Sequence, residues 1–542
     1  MGTAGSSSKP KSRGDVVPCR PFRVLEAPWL LDDFYCSTLA YCPTSGILAV
    51  GLANKVYLWT DDLGVKQAPF NTEGKPNYVT SLSFSSENGR DSILAAGQRN
   101  GHLVLWSTFE ATSRFEIVHP AGVSCVSFKP TTSRRLSTKA NGMEADVEDL
   151  AVGDVFGDIW YYSVEWPGFD DYYWDGCRSI VLIGRISAHS EQICGLSWSP
   201  DSSFLASGGN DNYCMLFEIS KIAPSRRHEK ESEPHQSSRC SDVESQSPFS
   251  CSLSGTADSI RRFGRRNIVS QLLPFRPTGS LGPPTSRHSA NAILSRGQSI
   301  VMPVNSQKHR LPHSAAVKAI AFAPWQPSLL ATGGGANDHA VHFFHTQSGT
   351  RLASINVYAQ VTSLIWSKTR PEIAVTLGYA EPQHPIRIAV FSWPSCEQVS
   401  AIPWGPYGSS IGDGINANMN DCGRALWAVS FPRCPYHWAP GPTEQETAVA
   451  GDMRRGRNES RTRKPLMTAV RPKEKEGGLW CSRTLEEGCI VVASSDQTVK
   501  FHEVWSGPPK RRTATVASGL LGGSGILEEL EGIENPGKEI IR

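Results

Sequence analysis

No stretch of the chain approaches the roughly 20 consecutive apolar residues that a membrane-spanning helix needs. No apolar signal segment opens it, and its fourteen cysteines form no Cys-x-x-Cys pair and no Cys/His cluster at zinc spacing, which reads as reduced thiols in an intracellular protein. Excess charge is missing too. Lys and Arg number 54 against 52 Asp and Glu, a net charge of +2, so no global field points to nucleic acid or a membrane as partner. The Gly-rich "ATGGGAND" runs into a strand pattern and not a helix, which excludes a phosphate loop, and no nucleophile elbow stands between a strand and a helix. No catalytic residue, cofactor or metal site is therefore expected, and the chain is not read as an enzyme.

What the sequence does contain is a repeat: a β-rich run, a turn, an apolar run ending in Gly or Ser, an Asn/Asp turn, then a strand closing on an aromatic. Copies begin at 38, 79, 123, 193, 317, 361 and 424, among them "VTSLSFSSENGRDSILAAGQRNGHLVLW" and "ICGLSWSPDSSFLASGGNDNYCMLF". Seven such units predict an all-β, seven-bladed β-propeller of the WD-repeat type. Segments rich in Ser, Pro, Gly and charge interrupt it at 131–147, 219–312 and 432–487, and removing them leaves about 45 residues per unit, the length of one blade. The expected organisation is a disordered leader over 1–21, one propeller over 22–505 and a flexible tail over 506–542. "FRVLE" at 22–26 is expected to complete the last blade. "MGTAGS" loosely fits a myristoylation pattern at Gly2, but reads as part of the leader. "SIRRFGRRNIVSQLLPFRP" at 259–277 reads as a solvated loop.

Two units carry His, Ser or Thr, and Asp at matching places: His189 with Ser207 and Asp211, and His313 with Thr332 and Asp338. A set that recurs in two blades is a scaffold network, since buried polar groups must be paired, and not a catalytic triad.

The strings "RVLEAPWLLDDFY", "HSEQICGLSWSPDSSFLASGGNDN", "AVKAIAFAPWQPSLLATGGGANDHAVHFF" and "QVTSLIWSKTRPEI" resemble the Fizzy and Fizzy-related family, activators that recruit substrates to the anaphase-promoting complex, a ubiquitin ligase. The long insertions look like its meiosis-specific fungal branch. By resemblance, Asn210, Asn212, Gln360 and Arg424 would form a pocket for Lys-Glu-Asn degrons. A groove between the first and last blades would take Arg-x-x-Leu, the destruction box, but Ala40 and Gln497 stand where the family shows acids, which implies weak reading of that motif. Ile541 and Arg542 match the family's tail, which docks on a helical-repeat subunit of the ligase. Degron-bearing substrates such as cyclins are the implied partners, with no nucleic acid or membrane, and the implied location is nucleus and cytoplasm. The family's N-terminal activating box does not precede Phe22. That implies either a start further upstream or docking by the tail alone. A relative that occupies and inhibits the ligase, or a generic WD-repeat scaffold, is the alternative reading.

Overall fold

A computed structural model describes residues 20–61, 63–69, 77–137, 143–166, 179–222, 300–303, 305–405, 423–431 and 489–505. These residues form seven sheets, antiparallel but for one strand pair at the edge of the third, and one short helical turn, Ile219–Ile222. Each sheet begins with an inner strand: Leu39–Cys42, Val79–Phe84, Val123–Phe128, Ile193–Trp198, Val317–Ala323, Ala359–Trp366 and Ala425–Phe431, which open blades 1 to 7 in that order. Every inner strand neighbours the next, and that of blade 7 returns to that of blade 1, so the sheets close a seven-bladed β-propeller. Arg23–Glu26 pairs with Thr498–His502 as the outer strand of blade 7, which ties the start of the propeller to its end.

Neighbouring inner strands do not share a backbone ladder, so side chains stitch them together. The Oγ of Ser81 accepts from Val126 N at 3.0 Å and that of Ser363 from Ala428 N at 2.8 Å. Indoles do the same: Trp198 donates to Ser127 O, Trp366 to Ala321 O, and Trp427 to Leu39 O, the last across the closure between blades 7 and 1. Apolar residues such as Leu48, Leu94, Val152, Leu205, Val341, Val375 and Val491 fill the spaces between blades without exposure.

Two segments expected as insertions contribute strands. Ser133–Leu136 folds back on Glu144–Asp154 as a hairpin arm of blade 3, anchored where Arg135, Lys129 and Ser133 surround the buried Asp149 carboxylate. His309–Pro312, inside the expected 219–312 insertion, is the outer strand of blade 4, and Ile300–Met302 lies parallel to blade 3's outer strand. The segment 432–487 and the loop at 259–277 lie outside the described residues.

Six of the seven inner strands carry an irregularity near their first residues, among them Val79/Ser81, Val317/Ala319, Ala359/Val361 and Ala425/Trp427. A bulge re-aims the extra side chain and ends regular pairing. The residues so released include Thr80, Ser124, Cys194, Lys318, Gln360 and Leu426, all buried.

Candidate functional site

The turn "GNDN" after blade 4's second strand, Phe204–Gly209, places three side chains with three different jobs. Asp211 accepts from His189 Nδ1 at 2.8 Å and from Ser190 N at 3.2 Å, while His189 Nε2 meets Ser207 Oγ at 2.8 Å. Gly209 is required there because a Cβ would lie 2.4 Å from His189 Nδ1. Asn212 is exposed and holds φ at 66°, a left-handed conformation that Asn tolerates better than most residues. Asn210 is half-buried; its Oδ1 accepts from the Tyr35 hydroxyl at 2.8 Å and its Nδ2 donates to Glu191.

In blade 5 the expected network is rearranged. His313 Nδ1 donates to Leu311 O at 3.1 Å, so its Nε2 accepts the Thr332 hydroxyl at 2.7 Å. Burial, with His342 beside it, pushes His313 down to about 4, consistent with a neutral ring. Asp338 accepts from His342 Nε2 at 2.9 Å and not from His313. The reason is local: His342 occupies the position opposite Thr332 that Met215 holds opposite Ser207 in blade 4, and a thioether cannot donate. His313, Asp338 and His342 bring potential metal-ligand atoms within 4.8 Å of one another, but the hydrogen bonds, including His342 Nδ1 to Ser354 Oγ at 2.7 Å, already engage every imidazole nitrogen.

The segment between the closing strand and blade 1, Trp29 to Ser37, crosses from blade to blade. Trp29 O accepts from Ala53 N in blade 1, Ser37 exchanges backbone bonds with Thr80 and Leu82 of blade 2, and Tyr35 reaches Asn210 of blade 4. Asp32 pairs with Arg424, which opens blade 7. The ammonium of Lys318, in blade 5, donates to Cys36 O at 2.8 Å and to Leu426 O at 3.0 Å, with the Trp427 ring centroid at 4.8 Å. Burial pulls this lysine down to about 8, against smaller upward effects of Cys36 and Asp33. Below lies a channel cavity of about 600 Å³ walled by inner strands.

Arg424 and Asn210 therefore meet the same short segment, Asp32 to Tyr35. Arg424 also lies over the Tyr379 ring, at 3.8 Å from its centroid, and Tyr379 follows Gly378, where a Cβ would lie 2.6 Å from Gln360 Oε1. These contacts draw Asn210 and Arg424 together into a mouth, whereas Asn212 turns toward blade 5, its carbonyl accepting from His313 N at 2.9 Å. Gln360, only 8% exposed, lies beneath it at a bulge and not on the rim. Sequence reasoning missed Asp32, Asp33, Tyr35, Glu191 and Tyr379. The signal was the aromatic and acidic "DDFY" between two strands.

A separate groove of about 660 Å³ lies between blades 7 and 1, lined by Glu26, Trp29, Lys55, Tyr57, Trp59 and Val499 among others. Gln497 stands beside it, its Oε1 accepting from the N of the lining residue Trp29 at 3.4 Å. Ala40 does not line it. Ala40 is 6% exposed in blade 1's inner strand, packed with Ala49 and Leu82, so an acid at that position would be buried away from the groove. The acid of the groove is Glu26, which is exposed at the end of the closing strand. Asp496 is engaged by Lys500 and Thr498, both at 2.6 Å. Ile541 and Arg542 lie outside the described residues.

Fold and mouth define a WD-repeat propeller whose chemistry-bearing groups form a polar rim. The family model "WD domain, G-beta repeat" matches residues 180–218. An uncharacterised WD repeat-containing protein of Schizosaccharomyces pombe is 30% identical over 403 residues, 74% of this chain and 55% of that protein. Meiotic fizzy-related protein 2 of the same yeast is 27% identical, covering 95% of this chain and 69% of its own length. The meiosis-specific APC/C activator protein AMA1 of Saccharomyces cerevisiae is 24% identical, covering 96% and 64%. The chain thus spans 55 to 69% of the length of these relatives. A chain from a crystal structure of a mitotic checkpoint complex shares the fold, with a TM-score of 0.51 at 21% identity, over 93% of this chain and 98% of that one. The chain is a homologue of the Fizzy and Fizzy-related WD-repeat proteins.

Proposed function

We propose that this chain is a non-catalytic, substrate-recruiting activator of the anaphase-promoting complex, serving in meiosis as two of its relatives are named. The observation that carries this reading is the convergence of Asn210 and Arg424, from blades 4 and 7, on Asp32 to Tyr35. A mouth that offers amides, carboxylates and one guanidinium matches a short peptide bearing a cation, an anion and an amide, the chemistry of Lys-Glu-Asn. The groove with Glu26 would take Arg-x-x-Leu through one carboxylate, Gln497 supplying an amide where a second acid would strengthen the grip. The Ile541–Arg542 tail would dock on a helical-repeat subunit of the ligase.

Fluorescence anisotropy with a labelled Lys-Glu-Asn peptide and the full chain tests the mouth. Asn210→Ala is expected to weaken binding at least tenfold, while Arg424→Ala, whose guanidinium already pairs with Asp32, is expected to cost less than about threefold; unchanged binding by Asn210→Ala refutes the placement. Ubiquitylation reconstituted with purified ligase then separates the roles: stimulation supports an activator, whereas suppression identifies a relative that occupies the ligase and blocks it. Loss of pull-down on deleting Ile541 and Arg542 is expected in either case.

A further inference from the structure

Arg424 is held in place from several sides. Its N donates to Ser495 Oγ at 2.8 Å, its O accepts from Ser495 N at 3.0 Å, and the preceding carbonyl, Gly423 O, accepts from the buried Arg387 at 3.1 Å. Its guanidinium lies against Tyr379 and its side chain is 19% exposed. Its partner is set differently. Asp32 is 48% exposed on the crossing segment, and the neighbouring Asp33 holds that segment's turn, accepting from Tyr35 N at 2.9 Å and from the Cys36 thiol. Asp32 is thus a carboxylate that reaches the mouth's guanidinium without holding the turn.

We propose that Asp32 is an internal competitor for the acidic side chain of a bound peptide. In the free chain it occupies Arg424, and an arriving carboxylate gains the guanidinium only by displacing it. One charge-assisted contact replaces another of the same kind, so the ligand's acid contributes little to net affinity. Asp32, Asp33 and Glu191 also give the mouth three carboxylates against the guanidinium of Arg424 and the buried ammonium of Lys318, an acidic excess that favours a cationic side chain over an anionic one. Asp32 is therefore a specificity-determining residue that makes the mouth read the cation more strongly than the anion. This inference rests on the mouth being the peptide site.

The test compares Lys-Glu-Asn and Lys-Gln-Asn peptides on the full wild-type chain, Asp32→Asn and Asp32→Ala, with thermal melts to check folding. On wild type the Glu-to-Gln change is expected to cost less than about threefold, since an exposed exchange of ion pairs nets little. Both variants free Arg424, so the Glu peptide is expected to bind about three- to tenfold tighter and to exceed the Gln peptide by the same factor. An unchanged Glu-to-Gln ratio, or equal weakening of both peptides, overturns the role of Asp32 while leaving the mouth as the peptide site. If neither peptide binds any of the three chains, the reading of the mouth fails and this inference with it.

Discussion

Replacing Lys318 by Met cuts the tie between the crossing segment and blade 7 while keeping the side chain's volume. Two carbonyls, Cys36 O and Leu426 O, lose their donor, at about 1–3 kcal/mol each. The variant also removes an ammonium that burial holds at about 8 and not at its ordinary 10.5, a penalty of about 3 kcal/mol at neutral pH. The two effects largely cancel in global stability, leaving a change between about 1 kcal/mol of gain and 3 of loss. They do not cancel locally, because the lost bonds all belong to the mouth. Hydrogen exchange should therefore show amides 33–37 at least tenfold faster, with little change in the strands of blades 2 and 3, and the Lys-Glu-Asn peptide should bind more weakly. The pH dependence supplies a second readout. The folded state holds the proton less tightly than the unfolded state, so wild-type stability should gain from this group as pH rises from about 8 toward 10.5, and the variant should lack that gain. Unaltered exchange at 33–37, or a wild-type and variant pair with parallel pH profiles, refutes the reasoning.

Three further outcomes are expected. Burial raises the Glu148 carboxyl to about 7 despite its bonds to Ser86, so its contribution to stability is fully present below about 4.5 and is lost as pH rises through 7; Glu148→Gln, which can keep both bonds, should flatten urea midpoints across that window and stabilise the chain by about 1–3 kcal/mol at pH 8. Glu26→Gln should weaken an Arg-x-x-Leu peptide about three- to tenfold, as expected for an exposed carboxylate, without affecting Lys-Glu-Asn binding, measured by anisotropy on the same preparation. His342→Ala should leave Asp338 without its ring donor inside blade 5, and thermal melts should show a loss of about 2–3 kcal/mol.

Period and turn chemistry made most of the architecture legible. Alternating strands closed by aromatics announced seven blades, and "FRVLE" announced the strand that closes the last one, because these signals are local. The strings that singled out Asn210 and Arg424 are local, whereas the segment both meet, Asp32 to Tyr35, is set by long-range contacts. Glu26 and Ala40 show where such reading stops. Both flank the entry to blade 1, yet one faces the groove and the other the core, and a shift of one residue exchanges those faces. The outer strand His309–Pro312 was hidden because it follows a long interruption and pairs only with Tyr213–Glu218, far back in the chain.

The sequence by itself determined the all-β repeat, the turn conformation at Asn212 and the scaffold role of Asp211, since each follows from a residue's own backbone preference or from a pattern within one blade. Only the tertiary structure decided that Asp32 faces Arg424, that Tyr35 faces Asn210, and that Lys318 joins Cys36 to Leu426. These contacts join the segment before blade 1 to residues roughly 175 to 390 positions further along the chain, and they exist because ring closure carries that segment past blades 4, 5 and 7.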